Sequence, residues 1–120
     1  MTRYSHLSIY NSAFALLREF NIRIPKFAKQ YKYFLGGKLM VNAEEIIELI
    51  IKSNSERNRD ERIKLIDLLL LKIEMTTIQL RIANELRLLG GQTSYLYLVK
   101  YCVDLSKQAE GWKKYTPQNG

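Results

Sequence analysis

The side chains with the most evident chemistry in this sequence are basic residues interleaved with aromatic rings. Five cations lie within sixteen consecutive positions that contain no Asp or Glu, namely Arg23, Lys26, Lys29, Lys32 and Lys38. Four aromatic residues alternate with them, namely Phe27, Tyr31, Tyr33 and Phe34. Lysine and arginine contact phosphate oxygens and aromatic rings stack on bases, so this run predicts contact with nucleic acid. The alternative is that Phe27, Tyr31 and Phe34 are core residues and the lysines are merely solvated.

A second basic row lies near the carboxyl terminus. Lys100, Lys107 and Lys114 recur every seven residues, with Tyr97 and Gln108 nearby. On a helix this spacing places the three lysines in one row on one face. If both basic segments lie on the same side of the fold, they form one basic surface. A net charge of +7 and a pI of about 9.6 favour such a surface and an anionic partner.

Catalytic and metal-binding residues are not indicated by the sequence. His6 is the only histidine, and no Ser, Cys or carboxylate cluster stands at a useful spacing from it. Glu44, Glu45 and Glu48 are neighbours on one predicted helix, whereas a metal site would need ligands from a second helix. Cys102 falls among apolar positions and is most simply a core residue. We therefore expect no enzyme activity, no metal site and no cofactor.

Cysteine usage and hydropathy indicate the compartment. The single cysteine cannot form an internal disulfide, which suits a reducing environment. Polar residues interrupt any apolar run at the amino terminus, so a signal peptide is not expected. Apolar runs such as Leu68 to Leu71 are far too short to span a bilayer. We expect a cytoplasmic protein that has no membrane partner.

The elements that must position these residues are helices. Apolar residues recur at three- and four-residue spacing, which predicts helices over residues 4–20, 26–52, 60–89 and 94–115. Short polar or glycine-containing breaks join them. The sequence therefore predicts an all-α, antiparallel up-down four-helix bundle that forms a single domain over residues 1–120. Gly36-Gly37 inside the second predicted helix favours close backbone packing over a kink.

The third predicted helix carries two apolar stripes on roughly opposite sides. The first stripe consists of Ile63, Ile66, Leu70, Ile73, Thr77 and Leu80. The second consists of Leu68, Leu71, Met75, Ile78, Ile82 and Leu86, and continues to Leu89. A helix buried on one face needs only one stripe, so the second predicts an interface with another subunit. The alternative is that the first and fourth helices cover both faces.

Four short motifs, in order, resemble one known family. They are Pro25-Lys26, the segment YKYFLGGKL at 31–39, the segment LRIANELRLL at 80–89, and GWKK at 111–114. Over about residues 5–115 the chain resembles the four-helix-bundle family that includes the accessory variability determinant (Avd) of diversity-generating retroelements. The proteins encoded in intervening sequences of bacterial rRNA genes belong to the same family. The resemblance implies a protomer that assembles into a pentameric barrel with a positively charged surface.

For the Avd branch, the resemblance implies a non-catalytic accessory subunit. Such a subunit binds the retroelement's reverse transcriptase and RNA or DNA, and supports mutagenic cDNA synthesis. The basic positions it implies for this role are Lys26, Lys32, Lys38, Arg81, Arg87, Lys113 and Lys114. For the rRNA intervening-sequence branch, the resemblance implies instead a protein-interaction module that does not bind nucleic acid.

Overall fold

A computed structural model describes residues 4–116, and within them the fold is entirely helical, as the sequence predicts. The elements are α1 (Ser8–Arg23), a 3-10 turn (Ile24–Lys26), α2 (Lys29–Lys32), α3 (Leu35–Ser55), α4 (Arg59–Glu85) and α5 (Gln92–Lys114). Four of them are long, and α2 is a single short turn. The described residues form an elongated body of 49 × 28 × 23 Å.

The four long helices form a closed ring of neighbours. α1 contacts α3 and α5, and α4 contacts the same two helices, so α1 and α4 lie diagonally across the core. Asn42 bonds Gln79 while Glu45 pairs with Lys72, which shows that α3 and α4 run in opposite directions. Arg23, at the end of α1, lies against Tyr97 near the start of α5, so that pair is antiparallel too. The four-helix bundle is therefore confirmed.

The core consists of apolar side chains that recur once per helical turn. Phe20, Leu39, Ile46, Ile73 and Leu98 are at most 1% exposed, and each of the long helices contributes to this cluster. Each fully buried side chain of this size contributes about 1.5–3 kcal/mol relative to an exposed one. The bundle is thus held together by packing along its whole length.

The first and last predicted helices are shifted in the structure. α1 begins at Ser8 instead of residue 4 and continues to Arg23, past the break predicted from Asn21. Pro25 lies in the 3-10 turn, where its missing N–H leaves no helical bond unmade. α5 begins at Gln92, two residues before the predicted start.

The second predicted helix, residues 26–52, is interrupted in the structure. The chain passes through the 3-10 turn and α2, turns at Tyr33 and Phe34, and only then enters α3. Gly36 lets the start of α3 pack closely on the 3-10 turn, because a Cβ atom there would lie 2.6 Å from Ile24 Cγ2. A Cβ at Gly37 would meet nothing within 4 Å. Close packing at the glycine pair is therefore confirmed for Gly36 only, and the break in the helix lies before it.

The third predicted helix also ends earlier than residue 89. α4 stops at Glu85, because Arg87 adopts a left-handed backbone conformation with φ of 60°. The N–H of Leu88 bonds the carbonyl of Ala83 and the N–H of Arg87 bonds that of Asn84, the two bonds of a Schellman motif. Leu89 consequently turns inward and is buried, whereas the sequence pattern placed it on the outer stripe.

None of the helices between residues 4 and 116 is both long and apolar enough to cross a bilayer.

Candidate nucleic-acid interface

One end of the bundle gathers most of the predicted nucleic-acid-binding residues. There α1 ends, the 3-10 turn and α2 follow, α3 begins, and α4 ends. The cations on these segments are Arg23, Lys26, Lys29, Lys32, Lys38, Arg81 and Arg87. We call these seven residues the basic end. The first basic run of the sequence and two of the arginines implied by the resemblance thus meet at one place.

Only two carboxylates accompany these cations, and both are already paired. Glu19 accepts a hydrogen bond from Arg23 at 3.0 Å, and Glu85 accepts one from Arg81 at 3.2 Å. Among residues 4–116, no ion pair involves the other five cations of the basic end. The basic end therefore has five positive charges without a carboxylate partner, a field that attracts polyanions.

Three of these cations line one groove between α1 and the loop after α4. Arg23, Lys26 and Arg87 border it together with apolar residues, and its volume is about 480 Å³. Arg23 is held in place from two sides, by Glu19 and by the Tyr97 ring 5.7 Å from its guanidinium carbon. Lys26 and Arg87 are exposed. The groove can therefore present two free cations beside one fixed arginine to a phosphate group.

Lys113 and Lys114 lie at the opposite end of the bundle, in the last turn of α5. Lys113 donates to Asp67 at 2.8 Å, and this hydrogen bond, with the carboxylate charge, raises the pKa of Lys113. Lys114 lies 5.6 Å from the centre of the Tyr115 ring. The structure therefore does not bring these two lysines together with the basic end.

The row of Lys100, Lys107 and Lys114 is exposed along α5. α5 lies diagonally across the bundle from α3, so this row and the lysines before Leu39 occupy different sides. Lys107 also shares a groove with Glu74 and Glu110, which reduces the local positive field. The single surface that would join both basic segments is not formed within one protomer.

The outer stripe of α4 is exposed to solvent. Its members are 39–53% exposed, and they are Leu68, Leu71, Met75, Ile78, Ile82 and Leu86. On the opposite face of the same helix, Ile66, Ile73 and Leu80 are completely buried. The spacing of three and four residues from Leu68 to Ile82 is that of a coiled-coil seam about 27 Å long from Leu68 to Leu86. Its contact with another subunit stays a prediction.

Two of the four aromatic residues that the sequence interleaves with the lysines are exposed at the basic end. Tyr33 and Phe34 are 76% and 77% exposed. Phe34 was expected in the core, an expectation that is wrong, since its ring lies outside the core at the junction of α2 and α3. Phe27 is buried as expected, and Tyr31 is half-buried. The only signal for the exposed pair was its position among lysines.

The remaining reactive groups form no recognisable catalytic arrangement in the described part of the chain. His6 is exposed. Burial raises the pKa of the Cys102 thiol to about 11. Ser12 donates to Asp104 at 2.7 Å, and Gln108 donates to the same carboxylate at 2.8 Å, which links α1 to α5. Across residues 4–116, no three His, Cys, Asp or Glu side chains are grouped so that they could hold a metal ion.

No protein-family model matches this chain, and a search of curated proteins finds no match either.

Proposed function

We propose that this protein is a non-catalytic accessory subunit that binds nucleic acid through the basic end. The observation that carries the proposal is the charge imbalance at one end of the bundle, where seven cations meet two carboxylates that are both ion-paired. When lysine and arginine side chains bind a phosphate backbone, they displace its condensed counterions, and the release of these counterions drives association. Five cations at one end of the bundle, none of them ion-paired with a residue between 4 and 116, suit that mode of binding.

The resemblance to the Avd family supplies the more specific part of the proposal. On that basis the protein acts in the cytoplasm with the reverse transcriptase of a diversity-generating retroelement and with its RNA or cDNA. The protomers associate through the outer stripe of α4, and the family resemblance suggests a pentamer. These partners follow from the motifs at residues 25–39, 80–89 and 111–114, while the charge distribution supports the nucleic-acid contact.

Charge reversal tests the nucleic-acid contact. We expect the variant with Lys26, Lys29, Lys32 and Lys38 all replaced by Glu to lose binding of a labelled RNA in a mobility-shift or anisotropy titration. In the unmodified protein, log Kd should depend on log salt with a slope near 3.5 if all five unpartnered cations contact single-stranded phosphates, about 0.7 per contact.

The matched control reverses four charges at the other end. Replacement of Lys52, Arg57, Lys64 and Lys114 by Glu changes the net charge by the same amount and should leave most of the affinity. Equal losses in both variants would show that only total charge matters, and the basic end would then not be the site. Full binding by the first variant would reject the proposal.

A protein-interaction module without nucleic-acid affinity is the second candidate, and the outer stripe favours it. An apolar seam of this length usually marks an interface with protein. We expect light scattering to show an oligomer at micromolar concentration, which Leu71→Glu with Ile78→Glu should dissociate. The matched control, Val41→Glu with Leu96→Glu, changes two residues that are 50% and 55% exposed outside the stripe. An oligomer that binds no RNA at physiological salt would favour this candidate over the first.

A further inference from the structure

Tyr33 and Phe34 form an exposed pair of rings that stack on no other ring and face no cation in the described part of the chain. They are adjacent in the chain and about three-quarters exposed, at the turn between α2 and α3. Among residues 4–116, the ring–ring and cation–ring contacts involve other aromatic residues. Because both rings remain in contact with water, their apolar faces contribute no burial energy to the fold and are available to a ligand.

The backbone beneath these rings is fixed by packing. Phe27 is 5% exposed and Ile24 is 7% exposed, and both side chains approach Gly36 closely. The N–H of Lys38 bonds the carbonyl of Phe34 at 3.0 Å, which ties the turn to the start of α3. The rings therefore project from a supported turn, which lowers the entropy cost of ordering them against a ligand.

Lysines flank the rings at helical spacing. Lys29 precedes Tyr33 by four residues and Lys38 follows Phe34 by four, a separation that places side chains on the same face of a helical segment. Both lysines are exposed, and neither takes part in an ion pair with residues 4–116. The pair of rings thus has an exposed lysine on either side of it along the chain, and each lysine can contact a phosphate.

We propose that Tyr33 and Phe34 stack on unpaired bases and make the basic end selective for single-stranded nucleic acid. The proposal rests on the proposed function, because it assigns the ligand class of the same site. Lysine contacts alone bind duplex and single strand alike, whereas an exposed ring needs a free base face. In a duplex those faces are covered by neighbouring bases. A membrane surface is less suited, because α2 has only four residues and offers no long apolar face.

Two double variants separate stacking from general apolar contact. Tyr33→Leu with Phe34→Leu keeps apolar bulk but removes the flat rings, whereas Tyr33→Trp with Phe34→Trp keeps flat rings. Affinity for a single-stranded RNA oligonucleotide is compared with affinity for a blunt duplex of equal length by anisotropy. We expect the leucine variant to bind the single strand roughly 10- to 100-fold more weakly. Duplex binding should stay within about twofold, since phosphate contacts are unchanged.

A fluorescence probe gives an independent readout. An oligonucleotide that contains 2-aminopurine should be quenched on binding to the unmodified protein and to the tryptophan variant, and much less on saturated binding to the leucine variant. Phe14→Leu serves as the control, because Phe14 is a partly exposed ring on α1, stacked on Tyr10. That control should bind both oligonucleotides normally.

The possible failures are distinguishable. If the leucine variant binds the single strand normally while the four-lysine reversal abolishes binding, the stacking proposal is wrong and the proposed function survives. If the unmodified protein binds neither oligonucleotide, both are wrong. If vesicles containing phosphatidylserine bind the protein through these rings while RNA affinity is unchanged in the leucine variant, the rings serve a lipid surface and the stacking proposal is overturned.

Discussion

The two ends of the bundle carry similar numbers of cations but differ in their carboxylates. The basic end has seven cations and two acidic residues. The opposite end, where α3 ends, α4 begins and α5 ends, also has seven cations, which are Lys52, Arg57, Arg59, Arg62, Lys64, Lys113 and Lys114. Five acidic residues accompany them, which are Glu56, Asp60, Glu61, Asp67 and Glu110. The number of basic residues therefore does not identify a binding surface.

The two ends also differ in how many of their cations are ion-paired with carboxylates. At the opposite end Arg59 pairs with Asp60, Lys64 with Glu61, and Lys113 with Asp67. Arg62 additionally lies over the Trp112 ring at 5.4 Å. The body is 49 Å long, several times the Debye length of about 8 Å at physiological salt, so each end acts on its own surroundings. Seven cations against two acids leave a net charge of +5 at the basic end, and seven against five leave +2 at the opposite end, so an anionic ligand meets the stronger field at the basic end.

The largest change in stability is expected at Gly36, in the first turn of α3. Gly36→Ala should lower the free energy of unfolding by about 1–3 kcal/mol, because the new methyl group overlaps Ile24 Cγ2. Gly37→Ala is the matched control and should raise stability by up to about 1 kcal/mol through helix propensity. Urea denaturation measures both. If Gly36→Ala were as stable as Gly37→Ala, the turn that supports Tyr33 and Phe34 would not depend on this close approach.

Alkaline pH tests the middle of the bundle, which belongs to neither end. Burial raises the pKa of Cys102 from 9.0 to about 11, so the unfolded thiol loses its proton first as pH rises. The stabilisation that this buried thiol gives in its protonated form is present in full below pH 9 and is lost between pH 9 and about 11, a change of about 2–3 kcal/mol for two pKa units. Urea denaturation across this range should show a smaller decline for Cys102→Ala. Parallel declines in the two proteins would mean that the thiol titrates normally when folded.

Arg87 allows stability and binding to be separated at the basic end. Arg87→Gly should raise the free energy of unfolding by about 1 kcal/mol, because glycine adopts a positive φ without steric cost. The same change should reduce the salt dependence of RNA binding by about 0.7 in slope, the value of one lost phosphate contact. Arg87→Lys is the control, since it keeps the charge and the backbone strain. An unchanged slope in Arg87→Gly would remove this residue from the interface.

The smallest expected effect lies at the opposite end. Ser53 is fully buried in the last turn of α3, and its hydroxyl has no hydrogen-bond partner among residues 4–116. Ser53→Ala should therefore raise the free energy of unfolding, by no more than about 1 kcal/mol, as measured by thermal denaturation. Thr76→Ala is the contrasting variant, because the Thr76 hydroxyl donates to the Lys72 carbonyl at 2.7 Å. It should lower stability.

Helical periodicity predicted the architecture and the two faces of α4. Ile66, Ile73 and Leu80 are buried, while the outer stripe is exposed, because a regular helix keeps its phase over many turns. The same reasoning failed for Leu89, which lies beyond the end of α4. No glycine marked that end, since an arginine at position 87 takes the left-handed conformation that glycine usually supplies.

The candidate site was predicted in composition but not in arrangement. The basic residues near Lys32 were recognisable because no acid interrupts them. The exposure of Phe34 was not, because helical spacing assigned this ring to the core face. The close packing of Ile24 against Gly36, twelve residues apart, also depends on tertiary structure that spacing does not reveal. Likewise, sequence spacing alone could not tell that α5 lies diagonally from α3. Only tertiary packing separates Lys107 and Lys114 from the basic end.

The hydrogen bond between Asn42 and Gln79, at 2.7 Å, joins α3 to α4 at the edge of an otherwise apolar core. If α4 slid by one turn along α3, both amides would lose this partner, at a cost of about 1–3 kcal/mol for each buried group left unsatisfied. Apolar packing alone tolerates such a slip more readily, since one leucine can replace another. The amide pair therefore fixes the register of α4 along α3. Through that register it also fixes the position of Arg87 relative to Lys26 in the groove that both residues line.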